Sequence, residues 1–327
     1  MSNSTKSSSA ASDYKQVDSK LKLEGTPEER YARTKKRLES LQNQLTRRAK
    51  GDKLPFPKSG KVCVVTGVGS LKGIGRAAAF AYAHEGAAHL YLLDFAGESL
   101  PELEKTLKER YPETKVTVIQ GDAACDHTIS SICQRAITEE GRLDVFFANA
   151  GIASPHMIPN ITPEAFMNMM RVNVLSCFLA IKHASKAMST LSKSKEESGG
   201  SIIMTASVAG LRSGAGTVDY SASKAAVNNM AKTAACQLAG TNIRVNSICP
   251  GLIETGMTEM TFDYAKKKGS TGKVGQLAPL QRYGIAEEVA QVALFLATDD
   301  SSYVTAQNIA VDGGLSGSHP VALGRWW

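Results

Sequence analysis

Tyr220 and Lys224 stand four residues apart in the segment YSASK, and Ser207 lies thirteen residues upstream of the tyrosine. On a helix the tyrosine and lysine share one face, one turn apart. A free tyrosine has a pKa of ~10 and is a poor base near neutrality. A lysine ammonium one turn away favours the phenolate. Such a pair suits carrying a proton to or from an oxygen while a hydride moves at the adjoining carbon. The spacing alone is a weak signal, because Tyr31/Lys35, Tyr111/Lys115 and Tyr264/Lys268 share it. Only Tyr220 has a serine at the preceding strand end and a Pro-Gly at the next one. The other three read as surface pairs, with Tyr264 in a mobile-looking, lysine-rich segment.

The second constellation is TGVGSLKGIG, Thr66 to Gly75. Read from Gly67, the pattern G-x-G-x-x-G fails, because Lys72 stands where the third glycine should be. Read from Gly73, GIGRAA fits the variant ending in alanine. A strand, a glycine turn and a helix start together make an anion site, where backbone N–H groups and the helix dipole face phosphate. Gly67, Gly73, Ile74 and Gly75 are therefore candidate cofactor residues. Asp94 ends the next apolar run, where an acidic residue grips the ribose hydroxyls of NAD. A carboxylate there repels the 2′-phosphate of NADP, so NAD is the expected cofactor. NADP stays possible, because the basic Lys72 directly precedes Gly73.

These residues need a scaffold, and the hydrophobic pattern predicts one. Short apolar runs at 61–67, 89–94, 115–122, 143–151, 201–207, 243–251 and 308–314 alternate with helical stretches at 98–110, 127–140, 163–190, 219–239 and 286–297. An alanine-rich helix follows the glycine turn. Alternating strands and helices predict an α/β fold, a Rossmann-type doubly wound parallel sheet. It forms a single domain over 59–317, with an N-terminal extension. Residues 1–25 read as a disordered Ser-rich tail. Residues 26–58 read as a basic helix and linker, opened by Thr26, Pro27 and Glu29. Tyr31, Leu38, Leu41 and Leu45 form its apolar stripe. Residues 318–327 form a tail ending in two tryptophans, expected to cover apolar surface.

Apolar residues make up 43% of the chain and charged residues 21%, ordinary values for a soluble protein. The net charge of +7 sits wholly in residues 1–58, and the remainder balances at 24 basic and 24 acidic residues. That argues against a nucleic-acid partner. No continuous apolar run approaches the ~20 residues of a membrane span. The cysteines form no C-x-x-C pair, which argues for free thiols, no metal site and a cytoplasmic protein.

From Lys61 to about Gly317 the sequence resembles the short-chain dehydrogenase/reductase family. Thr66, Gly67, Gly73 and Gly75 match its T-G-x-x-x-G-x-G turn, here two residues longer. Asp122, followed by Ala123, matches the acidic residue that meets the adenine amine. Asn149, Ala150 and Gly151 match N-N-A-G, with Ala148 replacing the first asparagine. Asn173, Ser207, Tyr220 and Lys224 match the catalytic tetrad. Pro250, Gly251 and Thr255 match the P-G motif beside the nicotinamide carboxamide. Ala306 stands where glycine is usual. The resemblance implies that Lys224 also binds the nicotinamide ribose, that Ser207 bonds the reacting oxygen and that Asn173 holds a relay water. It also implies homodimers or homotetramers packed through the helices at 163–190 and 219–239.

Three alternatives follow. The glycine spacing resembles that of enoyl-acyl-carrier reductases, but that branch puts six residues between tyrosine and lysine, and here there are three. An NADPH-dependent 3-oxoacyl-type ketoreductase would carry the same tetrad, with Asp94 against it. A non-catalytic dinucleotide-binding scaffold would have no use for an intact tetrad. The residues after Ser207 are small and apolar apart from Arg212 and Asp219, and the segment 253–283 mixes Met, Phe and Tyr with a solvated lysine triplet, which favours a modest, mainly apolar alcohol or ketone substrate.

Overall fold

The computed structural model describes residues 60–318 together with Glu29, Ala32, Lys35, Lys36, Leu38, Glu39 and Gln42. The chain divides into two compact units, 1–46 and 47–327. In the first, the described residues are helical and exposed, Leu38 included. Tyr31, Leu41 and Leu45 of the predicted stripe lie outside the described residues. So do the Ser-rich segment, the linker and residues 319–327 with both tryptophans.

The second unit is built on a seven-stranded sheet. Its strands are β1 (Val62–Thr66), β2 (His89–Asp94), β3 (Lys115–Gln120), β4 (Val145–Ala148), β5 (Gly200–Thr205), β6 (Ile243–Pro250) and, after a small excursion, β9 (Asn308–Val311). They lie in the order β3-β2-β1-β4-β5-β6-β9, every neighbour parallel. The strand sequences explain this. VCVVT in β1 is apolar at every other position on both faces and fully buried, as a two-sided parallel sheet requires.

Strand side chains alternate between faces, and two cores result. On one face Val62, Val64 and Phe146 pack against helices α3 (Asp126–Glu140), α5 (Ser176–Met188) and α6 (Val218–Gln237). On the other, Cys63, Val65 and Phe147 pack against α1 (Ile74–His84), α2 (Leu100–Arg110) and α8 (Ala286–Ala297). Strand order reverses between β1 and β4, which opens a crevice at the carboxyl ends of these strands.

The helix expected over 163–190 is present from Pro163 to Met188, with a π turn inside it. It runs as α4 (Pro163–Met170), a π turn (Arg171–Leu175) and then α5. Thr162 caps α4, its Oγ1 accepting from Ala165 N at 3.2 Å. By length and composition Pro163–Met188 could cross a bilayer, but Cys177, Ala180, Ala184 and Met188 are spent on the core. The lysine-rich segment that holds Tyr264 is helical up to Lys267. It forms α7 (Glu259–Lys267), with an acid in the first turn, lysines in the last, and Phe262 and Ala265 buried. Two short strands the sequence reading missed, β7 (Ile253–Glu254) and β8 (Gly284–Ile285), pair in parallel at the ends of this excursion. All six cysteines are free, and Cys63, Cys133, Cys177 and Cys249 are buried.

Candidate active site

The glycine turn is folded back on itself. Gly67 has a φ of 74°, and its N–H donates to Leu93 O at 2.8 Å. A Cβ on Gly75 would lie 2.3 Å from the Gly67 carbonyl oxygen, so only glycine permits this approach. Helix α1 starts at Ile74 with Gly73 as N-cap, no side-chain cap and no acid in its first turn. Its first N–H groups are left for an external anion.

Asn149 fastens the turn to the middle of the sheet. Its N–H and that of Ala150 both donate to Thr66 Oγ1 at 3.0 Å. Its Nδ2 donates to the carbonyls of Thr66 at 3.2 Å and Gly67 at 3.1 Å, and its Oδ1 accepts from Thr205 Oγ1 at 2.9 Å. Thr66 is the first residue of the glycine turn read from the sequence, but Thr205 escaped the sequence reading. The only signal for Thr205 was its position at the end of β5.

At the other end of the cleft, Lys224 is 3% exposed. Its Nζ donates to Thr205 O at 2.8 Å and lies 5.6 Å from the centroid of the Tyr220 ring. Ser207 caps a single turn of 3-10 helix (Val208–Gly210), its Oγ accepting from Ala209 N at 3.1 Å. Asn173 sits in the π turn and is fully buried. Its Oδ1 accepts from Ile152 N at 2.8 Å, and its Nδ2 donates to Ile152 O and Ser223 Oγ, both at 3.0 Å. A Cβ on Gly151 would lie 3.1 Å from Asn173 Oδ1 and 3.3 Å from Lys224 Nζ. Gly151, Asn173 and Lys224 therefore meet at one point.

One cleft of about 290 Å³ brings together Gly67, Gly73 and Ile74, Asp94, Asn149 and Gly151, Ser207, Tyr220 and Lys224, and Pro250, Gly251 and Thr255. Gly75, Ala150 and Asn173 support it from behind its lining. Asp122 and Ala123 lie outside that lining, beyond β3. There Asp122 Oδ2 accepts from Arg171 Nη1 at 2.6 Å, and its Oδ1 accepts from Ala124 N at 2.8 Å. Burial raises the Asp122 carboxyl, but the Arg171 guanidinium and the Ala124 N–H outweigh it and hold it below its ordinary range. A helix start free of side-chain caps, glycines where a Cβ cannot fit and a carboxylate at the end of β2 together suit a dinucleotide. Among the described residues no cluster of His, Cys, Asp and Glu assembles that could hold a metal ion.

The sequence profile of a family described as enoyl-(acyl carrier protein) reductase matches residues 67–316. The chain belongs to the short-chain dehydrogenase/reductase family. It is 38% identical over 256 residues to a 3-oxoacyl-(acyl-carrier-protein) reductase of Thermotoga maritima, spanning 78% of this chain and 98% of that one. The crystal structure of levodione reductase superposes with a TM-score of 0.71 at 31% identity, covering 79% of this chain and 98% of its own. An NADPH-dependent reductase of bacilysin biosynthesis gives 0.71 at 29% identity, covering 80% and 100%. As a short-chain dehydrogenase/reductase the protein is an oxidoreductase working between CH–OH and carbonyl groups, and its Rossmann-type sheet is the one expected from the sequence.

Proposed function

We propose that the protein interconverts a secondary alcohol and a ketone by hydride transfer, with NAD as the preferred dinucleotide and Tyr220 as the proton carrier. The observation that carries this reading is the single cleft. It holds the glycine turn, Asp94, Ser207, Tyr220 and Lys224 together, with Lys224 pinned by Thr205 beside the tyrosine ring. A bound nicotinamide dinucleotide supplies the hydride donor or acceptor.

Gly67, Gly73, Ile74 and Gly75 take the pyrophosphate, Asp94 the ribose hydroxyls, and Asp122 with Ala123 the adenine. Asn149, Ala150 and Gly151 form the floor, and Pro250, Gly251 and Thr255 face the carboxamide. In oxidation the Tyr220 phenolate takes the proton of the alcohol. In reduction the phenol returns a proton to the oxygen. Lys224 places its ammonium beside the Tyr220 ring and reaches the ribose, and Ser207 holds the reacting oxygen. The Asn173 amide is committed to Ile152 and Ser223. Its geometry supports positioning Gly151 and Ile152 more directly than holding a water with its side chain.

Tyr220→Phe should lower kcat by about 10²–10⁴-fold, the scale of a lost acid–base group. Dinucleotide affinity, read by nicotinamide fluorescence, should be retained. Near-normal turnover in that variant would refute the assignment. A panel of alcohols and ketones with NAD or NADP defines the substrate. The exposed Met157, Ile158, Leu211, Met257 and Met260 lie in segments flanking the catalytic residues and favour an apolar one. The 3-oxoacyl reductase of Thermotoga and the NADPH-dependent reductase of bacilysin biosynthesis support a second reading, a 3-oxoacyl thioester reduced with NADPH, and that pair giving the highest kcat/KM would establish it. Assembly into homodimers or homotetramers is supported by the exposed Met167, Leu175 and Phe178 along the α4–α5 helix. Six free thiols support a cytoplasmic location.

A further inference from the structure

The β1–α1 loop is two residues longer than the family turn, and the extra length is fastened at both ends. On one side, Gly69 N donates to Asp94 Oδ2 at 2.6 Å, and Ser99 Oγ donates to Gly69 O at 2.6 Å. A Cβ on Gly69 would lie 2.8 Å from the Asp94 carboxyl carbon, so the loop rests directly on that carboxylate. On the other side, Lys72 Nζ donates to Glu254 Oε1 at 3.1 Å. A Cβ on Gly256 would lie 2.9 Å from Ser70 Oγ.

The two anchors belong to opposite halves of the sheet. Asp94 ends β2, and Glu254 follows β6 in β7. In the strand order, β2 and β6 lie on opposite sides of β1. Lys72 is the only cation between Thr66 and Gly75. The next cation along the chain, Arg76, is paired with Glu102. The loop's single positive charge, an exposed one, is therefore held towards the β6 side by Glu254.

We infer that Glu254 is a cofactor-specificity residue that acts through Lys72. By holding the ammonium on the β6 side, it leaves Asp94 unopposed at the ribose end and disfavours the 2′-phosphorylated dinucleotide. The physical reason is charge. A phosphate monoester carries about −1.5 to −2 at neutral pH. Asp94 repels it, and a released Lys72 would offset that repulsion. The inference rests on the dinucleotide reading above. The pair is exposed, with the lysine side chain 71% accessible, so its effect is modest.

The test measures Kd for NADH and NADPH by nicotinamide fluorescence in the full-length protein, Glu254→Gln, Lys72→Gln and the double variant. Glu254→Gln should tighten NADPH about two- to fivefold, the scale of one exposed charge pair, and leave NADH unchanged. That tightening should vanish in the Lys72→Gln background. NADPH affinity unmoved by Glu254→Gln, or tightening that survives without Lys72, would overturn the inference while NADH binding still stood. A wild-type protein that binds neither dinucleotide would overturn the functional reading itself.

Discussion

Ala306 adopts a φ of 60°, in the left-handed region that its family fills with glycine. The position is held there because its N–H donates to Val245 O at 2.8 Å, leading the chain into β9. A side chain in this region costs about 1–2 kcal/mol. Glycine would relieve that cost but lose about 0.5–1 kcal/mol through the unfolded chain. Ala306→Gly should therefore stabilise the fold by about 0.5–1 kcal/mol, raising Tm by roughly 1–4 °C. Catalytic parameters should not change. A fall in Tm would show that packing of the Ala306 methyl outweighs the backbone strain. Gly67 and Gly75 illustrate the opposite situation, where backbone oxygen and neighbouring Cα atoms leave no room for any side chain.

At the scale of elements, the π turn is the piece the sequence did not disclose. Its residues, RVNVL, continue the helical apolar pattern on either side. An extra residue per turn shows only in the backbone hydrogen bonds, which periodicity cannot report. The turn brings Arg171 to Asp122 and Asn173 to Ile152. Asn173→Ala removes the partners of the half-buried Ile152 N–H and carbonyl, each costing somewhat less than the ~1–3 kcal/mol of a fully buried unsatisfied group. It should lower stability accordingly. Displacing Gly151 should lower kcat by up to about 10²-fold, with dinucleotide Kd nearly constant. Loss of stability without loss of kcat would reduce Asn173 to a packing role.

The seven strands of the main sheet were legible to within a few residues, because each is a short apolar run bounded by glycine, charge or a turn. Ser207, Tyr220 and Lys224, which the structure gathers in one cleft, were legible from their mutual spacing and the strand ends beside them, whereas Asn173, in the π turn, was named through the family resemblance alone. The tethers Gly69–Asp94 and Lys72–Glu254 were not. They join residues far apart in the chain, and no pattern within one segment encodes the pairing.

At the scale of the whole molecule, the acid response is built at the edge of the sheet opposite the cleft. His89 opens β2, its Nδ1 3.0 Å from Glu140 Oε1 and its Nε2 2.9 Å from Thr117 Oγ1. Glu139 and Lys115 also face this cluster. Burial holds the imidazole below its ordinary value, although Glu140 and Glu139 pull the other way. The neutral ring satisfies both contacts, donating to Glu140 and accepting from Thr117.

A histidine lowered in the folded state binds its proton first in the unfolded chain, so stability falls as pH drops through about 6.5. Carboxylates act lower. Glu288 is held down to about 2 by the Arg282 guanidinium and the Ile285 N–H, and its small, exposed contribution is lost only as pH falls below about 4.5. Tm should therefore decline already between about pH 7.5 and 5.5. His89→Gln should flatten this upper window and leave the decline below about 4.5 in place. An unchanged slope between the higher values would assign the upper stage to another group. Strand starts and strand ends lie on opposite edges of a parallel sheet, and the cleft occupies the ends. His89→Gln should thus keep wild-type kcat/KM near neutrality, which separates the stability of this fold from its chemistry.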